Sequence, residues 1–196
     1  ASQVELLQAA NSSLGHASGW PLGLVLNNRD DFRPKPKTDG IVAEINIENR
    51  SYQYWSIKKN GSYYLLDGLF EDFREPNSIF FNTRIVRITE ALLYAVRLYT
   101  GLKVQPDSRL LIGFRHGGLK GRNISATSSR ELGIHGKAIE DEVYTELETA
   151  MERIEPDLVN LVQKITTPLF LIFDFFQIEK SILEEIVDNF VDGRVT

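Results

Sequence analysis

The stretch Tyr52-Gln53-Tyr54-Trp55-Ser56-Ile57-Lys58-Lys59-Asn60-Gly61-Ser62-Tyr63-Tyr64-Leu65-Leu66 decides the fold class. Asn60-Gly61 sits between two runs of aromatic and apolar residues, and both turn residues tolerate positive φ, so the pair predicts a tight hairpin. Upstream, Ile41, Ala43, Ile45 and Ile47 alternate with Val42, Glu44, Asn46 and Glu48. That period belongs to a half-buried strand, with Glu44 and Glu48 on its solvent side. Glu48-Asn49-Arg50-Ser51 reads as the turn between them. The spacing predicts an antiparallel meander of strands over 41–48, 52–58 and 62–69.

Before the meander, residues 2–10 read as a short helix, Leu22 to Leu26 as a short strand, and 27–40, with Pro34 and Pro36, as an exposed loop. After it, Ser78 to Asn82 reads as an extended piece. Phe81-Asn82-Thr83-Arg84-Ile85-Val86-Arg87-Ile88-Thr89-Glu90-Ala91-Leu92-Leu93-Tyr94 opens a helix that is apolar on nearly all sides and therefore buried. Asn82 or Thr83 is its expected cap, and Gly101 its stop. Arg109 to Arg115 and Asn123 to Leu132 read as strands. From Lys137 onward the pattern reads as helical. Ile139, Val143, Leu147, Ala150 and Ile154 form one face, Pro156 restarts a helix and Pro168 ends it, leaving Leu169 to Phe176 as strand or helix. Ile182, Ile186, Val187 and Phe190 mark a last amphipathic helix. Strands first and helices later predict a single α+β domain over residues 1–196. In it the meander sheet packs against a buried central helix and carboxy-terminal helices.

A net charge of −5 argues against a dedicated nucleic-acid binder. With no cysteine, disulfides, thiolate nucleophiles and cysteine-based zinc sites are excluded. His16, His116 and His135 are far apart in sequence, so neither a metal nor another cofactor is expected. No apolar run reaches the ~18 residues of a membrane span, and no signal pattern opens the chain. The expected compartment is the cytoplasm, with no membrane partner. The chain starts at Ala1 and its sole methionine is Met151, so a part excised from a longer protein is expected.

Candidate chemistry gathers in a few places. Arg84, Arg87, Glu90, Tyr94 and Arg97 recur three or four apart and share one side of the central helix. Two or three guanidiniums there can hold an anion, with Glu90 orienting them. Alternatively Arg87 and Glu90 pair, and Arg84 and Arg97 cap the helix or snorkel outward. Arg115-His116-Gly117-Gly118-Leu119-Lys120-Gly121-Arg122 follows a strand. Its glycines allow a backbone nest for an anion, or merely tight turns. It matches neither a P-loop nor a dinucleotide fingerprint. Glu71-Asp72 reads as a solvated turn or, less simply, as a metal or acid–base pair. Gly15-His16-Ala17-Ser18-Gly19-Trp20-Pro21 reads as a structural loop, since no serine has an activating partner. The aromatic hairpin of Tyr52, Tyr54, Trp55, Tyr63 and Tyr64 suits packing over a core or stacking of bases.

The hairpin, Leu69-Phe70-Glu71-Asp72, the 81–92 segment, the 116–122 loop and Phe173-Asp174-Phe175-Phe176 together resemble one known arrangement. It is the carboxy-terminal region of bacterial proteins that begin with a Schlafen AlbA-type DNA- or ATP-binding domain. The resemblance covers roughly residues 10–195. It implies that the nucleotide- or DNA-binding half is the missing amino-terminal domain, that nucleic acid is engaged only indirectly, and that this half senses or regulates.

The leading expectation is a non-catalytic regulatory or ligand-sensing domain, with no catalytic residue. Its site would be Arg84, Arg87, Glu90, Arg115, His116, Lys120 and Arg122, and its ligand an anionic small molecule. One alternative is a hydrolase of nucleotides or nucleic acid using Glu71, Asp72, Glu90 and His116. The other is an interaction module that forms a homo-oligomer through its last helices.

Overall fold

A computed structural model describes residues 1–17, 19–47, 51–127, 132, 136–174 and 176–194. The fold is α+β. Helix α1 (Gln3–Ser12) opens on a reciprocal cap: the Ser2 hydroxyl accepts from the Glu5 N–H at 3.3 Å, and the Glu5 carboxylate accepts from the Ser2 N–H at 2.7 Å. Strands β1 (Lys35–Lys37), β2 (Gly40–Ile47), β3 (Ser51–Lys58) and β4 (Tyr63–Asp67) form an antiparallel meander in that order. The Asn60-Gly61 hairpin joins β3 to β4 with Gly61 at φ 90°.

Two expectations before the sheet change. The 27–40 loop contains β1, in which Lys35 pairs with Val42 and Lys37 with Gly40. Its Lys-Pro-Lys sequence imitates a loop because proline and lysine are also what an edge strand tolerates. Residues 22–26, read as a strand, run as turn and coil. Side chains, not a ladder, take up their backbone groups.

Helix α2 (Phe81–Gly101) follows β5 (Ser78–Phe80) directly, and its cap position is Phe80, with no side-chain cap. Asn82, an expected cap, instead accepts the Thr127 N–H at 3.0 Å. Two cores meet on α2. Tyr94 and Leu98 join Leu6, Ala9, Ile41, Ala43, Trp55 and Ile57 under the sheet. Ile85, Val86, Ile88 and Leu92 join the second core, with Leu147, Val162, Ile165, Phe170, Leu183 and Ile186. The second core is built by β6 (Arg109–Gly117), β8 (Glu142–Ala150), α3 (Leu158–Leu171) and α4 (Lys180–Val191). The three-residue β7 (Asn123–Ser125) pairs in parallel with β5. The strand expected over 123–132 is thus only three residues long where it is described, since Ala126, Thr127 and Leu132 are not in a strand. Residues 128–131 of that strand and residues 48–50 of the expected turn lie outside the described residues. No helix among the described residues is long and apolar enough to cross a membrane.

The largest departure from the sequence reading is β8, expected as helix. Residues i and i+4 share a face in both a helix and a strand, so Val143 and Leu147 satisfied both periods. The full run resolves the ambiguity. Val143, Thr145, Leu147 and Thr149 turn inward while Glu142, Tyr144, Glu146 and Glu148 are exposed, and β6 pairs with all nine residues. Ile139, placed on the supposed helical face, is 77% exposed. Pro168 also fails to end its helix, since α3 continues to Leu171. The exposed proline accompanies hydroxyls that bond back onto the preceding turn, Thr166 to Val162 C=O at 2.9 Å and Thr167 to Gln163 C=O at 2.7 Å.

The strand assignment has a direct stability test. Leu147, 2% exposed, should cost ~2–5 kcal/mol when replaced by alanine. Ile139→Ala should stay within ~0.5 kcal/mol. Urea denaturation of the two variants checks this, and equal costs would restore the helical face.

Candidate functional site

The polar residues of α2 meet the chain itself. Arg84 grips Glu71 with two parallel bonds, Nε to Oε1 at 3.1 Å and Nη2 to Oε2 at 2.8 Å. Glu71 Oε1 also accepts the Phe80 N–H at 3.0 Å, where β5 runs into α2. Glu71 is 0% exposed and Arg84 6%. Glu71 is therefore no solvated turn residue; it lies in the 3-10 turn Phe70–Phe73 that carries the chain from the sheet to α2. Arg84 does not snorkel outward either. Burial pulls its pKa down, and the Glu71 charge opposes that pull.

One turn on, Arg87 Nη1 donates to Glu90 Oε2 and to the Trp20 carbonyl, each at 2.7 Å, and Nη2 pairs with Asp67 at the end of β4. Glu90 Oε1 accepts the Leu22 N–H at 2.9 Å. Burial raises the Glu90 pKa, with the Arg87 charge working against it. Gln53 completes the clamp. Its amide nitrogen donates to the Pro21 carbonyl at 3.2 Å, and its oxygen accepts the Leu24 N–H at 2.9 Å. Trp55 Nε1 donates to the Leu24 carbonyl at 2.9 Å. The Tyr94 hydroxyl lies where a Cβ on residue 23 would stand, and Gly23 has φ 66°, so only glycine lets the loop close on α2. Arg97 Nε donates to the Ser13 carbonyl at 2.7 Å. Asp67 and Gln53 are clamp members missed in the sequence. The available signal was Gln53, a polar residue in phase with buried Trp55 and Ile57 on β3.

The glycine loop is likewise self-contained. His116 and Gly117 belong to β6, and the turn is made by Gly118 at φ 69° and Gly121 at φ 81°. The N–H groups of Leu119, Lys120, Gly121 and Arg122 donate to Asp141 C=O, Asp141 Oδ1, Ala138 C=O and Leu119 C=O at 2.8–3.3 Å. An anion nest needs those amides free. Arg122 donates to Gly118 C=O at 2.6 Å and pairs with Asp72 at 2.6 Å, closing the loop onto the 3-10 turn. Arg115 faces outward, 3.5 Å from Glu142 and over the Tyr144 ring. Lys120 is exposed. His116 is half-buried on the inner side of β6. Burial, and then the positive charge of Arg84, hold its pKa down at about 4 against an ordinary 6.5, so its imidazole is neutral near physiological pH.

The expected site residues therefore divide. Arg84, Arg87 and Glu90 clamp the interior, Arg122 closes a loop, Arg115 and Lys120 point to solvent, and His116 lies within the electrostatic influence of Arg84. Among the described residues no group of three or more His, Asp or Glu could hold a metal. Of the apolar residues of α4, Leu183, Ile186, Val187 and Phe190 are buried, whereas Val191 is 52% exposed.

An open surface lies on the other side of the sheet. Strand alternation that buries Ile41, Ala43, Trp55 and Ile57 turns Val42, Glu44, Asn46, Tyr52, Tyr54, Tyr64 and Leu66 outward. The aromatic hairpin thus divides, Trp55 entering the core and Tyr54 and Tyr64 meeting edge-on outside it at 6.1 Å between centroids. Beside Tyr54 is a concavity of about 500 Å³ whose charged lining is Asp31, Arg33, Lys35, Lys37 and Glu44. Arg33 pairs with Asp30 at 3.4 Å. Lys35 and Lys37 have no ion-pair partner among the described residues. No known protein family, curated protein or solved structure matches this chain.

Two outcomes follow from the clamp. Arg84→Met or Glu71→Met alone leaves a bare buried charge and should cost ~3–5 kcal/mol, whereas the double variant should cost clearly less than the sum. Chemical denaturation of the four proteins in that cycle reads this out. The second concerns His116, whose lowered folded pKa means that the unfolded chain takes up its proton first. The stability this residue contributes is complete above pH 6.5 and is lost as pH falls toward 4. Melting temperatures across that range should fall less steeply in His116→Gln than in the parent protein.

Proposed function

We propose that this chain is a non-catalytic, ligand-sensing domain that receives an anionic small molecule on the outer face of the four-stranded sheet. The observation that carries this is that, among the described residues, Lys35 and Lys37 have no ion-pair partner beside a concavity bordered by Tyr54. Cations held next to an aromatic wall, with neither of the lining carboxylates Asp31 and Glu44 in an ion pair with them, suit an anion from outside. The guanidiniums of α2, by contrast, already have carboxylate or carbonyl partners. The same commitment weighs against a hydrolase, because Glu71, Asp72 and Glu90 each serve an arginine. The resemblance to regions that follow a Schlafen AlbA-type domain supports a regulatory role within a larger cytoplasmic bacterial DNA-binding regulator.

Calorimetric titration with pyrophosphate and a panel of phosphorylated small molecules tests the site. Lys35→Glu combined with Lys37→Glu should weaken the bound anion ~10-fold or more, since charge-assisted contacts are lost and repulsion is added. Binding that survives this pair but disappears in Arg87→Ala would move the site to α2.

A further inference from the structure

The lining of the sheet-face concavity is not that of a simple phosphate site. Two of its charged residues, Asp31 and Glu44, are acids, and its remaining wall includes Phe32, Val42, Asn46 and Tyr54. A bare phosphate would be repelled by the acids and would gain nothing from the rings. The register sorts these groups in space. Lys37 lies opposite Gly40, Lys35 opposite Val42, Glu44 opposite Tyr54 and Asn46 opposite Tyr52, and paired residues share a face. The cations therefore occupy one end of the outer face. The pairs Glu44–Tyr54 and Asn46–Tyr52 come next, each successive row ~7 Å further along the strands. Glu44 Oε1 accepts the Tyr52 hydroxyl at 3.3 Å, and no donor from the described residues meets Oε2. A carboxylate can only accept, so the ligand atom that meets it must carry N–H or O–H.

A single molecule satisfies all of these demands if it has an anionic end, a flat ring and an amino group on the ring's edge. We infer that the ligand is a nucleoside monophosphate with an amino-bearing base. Its phosphate lies on Lys35 and Lys37, its base against Tyr54, and its exocyclic amine toward Glu44 and Asn46. This rests on the sheet face being the anion site. The volume, about 500 Å³, is of the size that holds a small molecule. A longer nucleic-acid strand fits less well, because the chain's net charge of −5 repels a polyanion.

Calorimetry on the whole chain with adenosine monophosphate, inosine monophosphate, pyrophosphate and a short oligoadenylate separates the possibilities. Adenosine monophosphate should bind, and inosine monophosphate, which carries a keto oxygen in place of the amine, should bind ~10-fold more weakly. Tyr54→Thr should weaken binding ~5-fold or more through lost stacking. Glu44→Gln alters an exposed residue and presents a donor as well as an acceptor. It should narrow the adenosine-to-inosine ratio, and it keeps the test open if Tyr54→Thr fails to fold. Equal binding of pyrophosphate and adenosine monophosphate, unaffected by Tyr54→Thr or Glu44→Gln, would overturn the nucleotide assignment and leave the anion site standing. Affinity that rises with oligoadenylate length would overturn the single-nucleotide occupant. Binding of none of these compounds, or binding indifferent to the Lys35 and Lys37 reversals, would remove the sheet-face site itself.

Discussion

The ion pair between Arg84 and Glu71 constrains the rest of the molecule. Glu71 is sealed from water and Arg84 almost so, so each needs the other, and the geometry that satisfies both is narrow. Glu71 also takes the Phe80 N–H, which fixes how β5 enters α2. With the start of α2 fixed, Arg87 and Glu90 fall one turn further on and can bind the loop at 20–22 and Asp67. The central helix, the end of the sheet and a loop lacking secondary structure are thus joined by charge. This is why an otherwise apolar helix keeps a polar stripe.

Much of the fold was legible wherever local chemistry and tertiary demand agreed. Asn60-Gly61 and the Ile41–Ile47 alternation needed no distant partner to be read, and β2, β3 and β4 fall within a few residues of their expected places. The 139–154 region was misread because its spaced apolar residues fit two periods, and only pairing with β6 chooses between them. Lys35–Lys37 was misread because edge strands and loops use the same residues. Helix α2 and α4 were recognised from their periodicity, while the start of α2 was displaced because a strand feeds into it without a polar cap.

The candidate site was less legible. Sequence spacing grouped Arg84, Arg87, Glu90, Tyr94 and Arg97 on one side of α2, but spacing along a helix does not say what faces it. The partners Glu71, Asp67, Trp20 and Ser13 come from other parts of the chain. The 116–122 loop had the composition of an anion nest, yet the 138–141 segment folds back to use its amides. The outer sheet face was implicit in the period-2 pattern. Its basic border was not, because β1 had not been read as a strand.

The two rims of the four-stranded sheet are unlike. On one, β1 offers Lys35-Pro36-Lys37, short, charged and lacking an amide proton at its centre, which blocks further pairing. On the other, β4 runs Tyr63-Tyr64-Leu65-Leu66 before Asp67, and among the described residues β3 is its sole ladder partner. Among the described residues the sheet is therefore asymmetric, its first strand guarded by proline and lysine and its last free of both. An additional strand, whether from elsewhere in a longer polypeptide or from another molecule, would meet neither proline nor lysine on β4, and there it would continue the surface that Tyr64 and Leu66 begin.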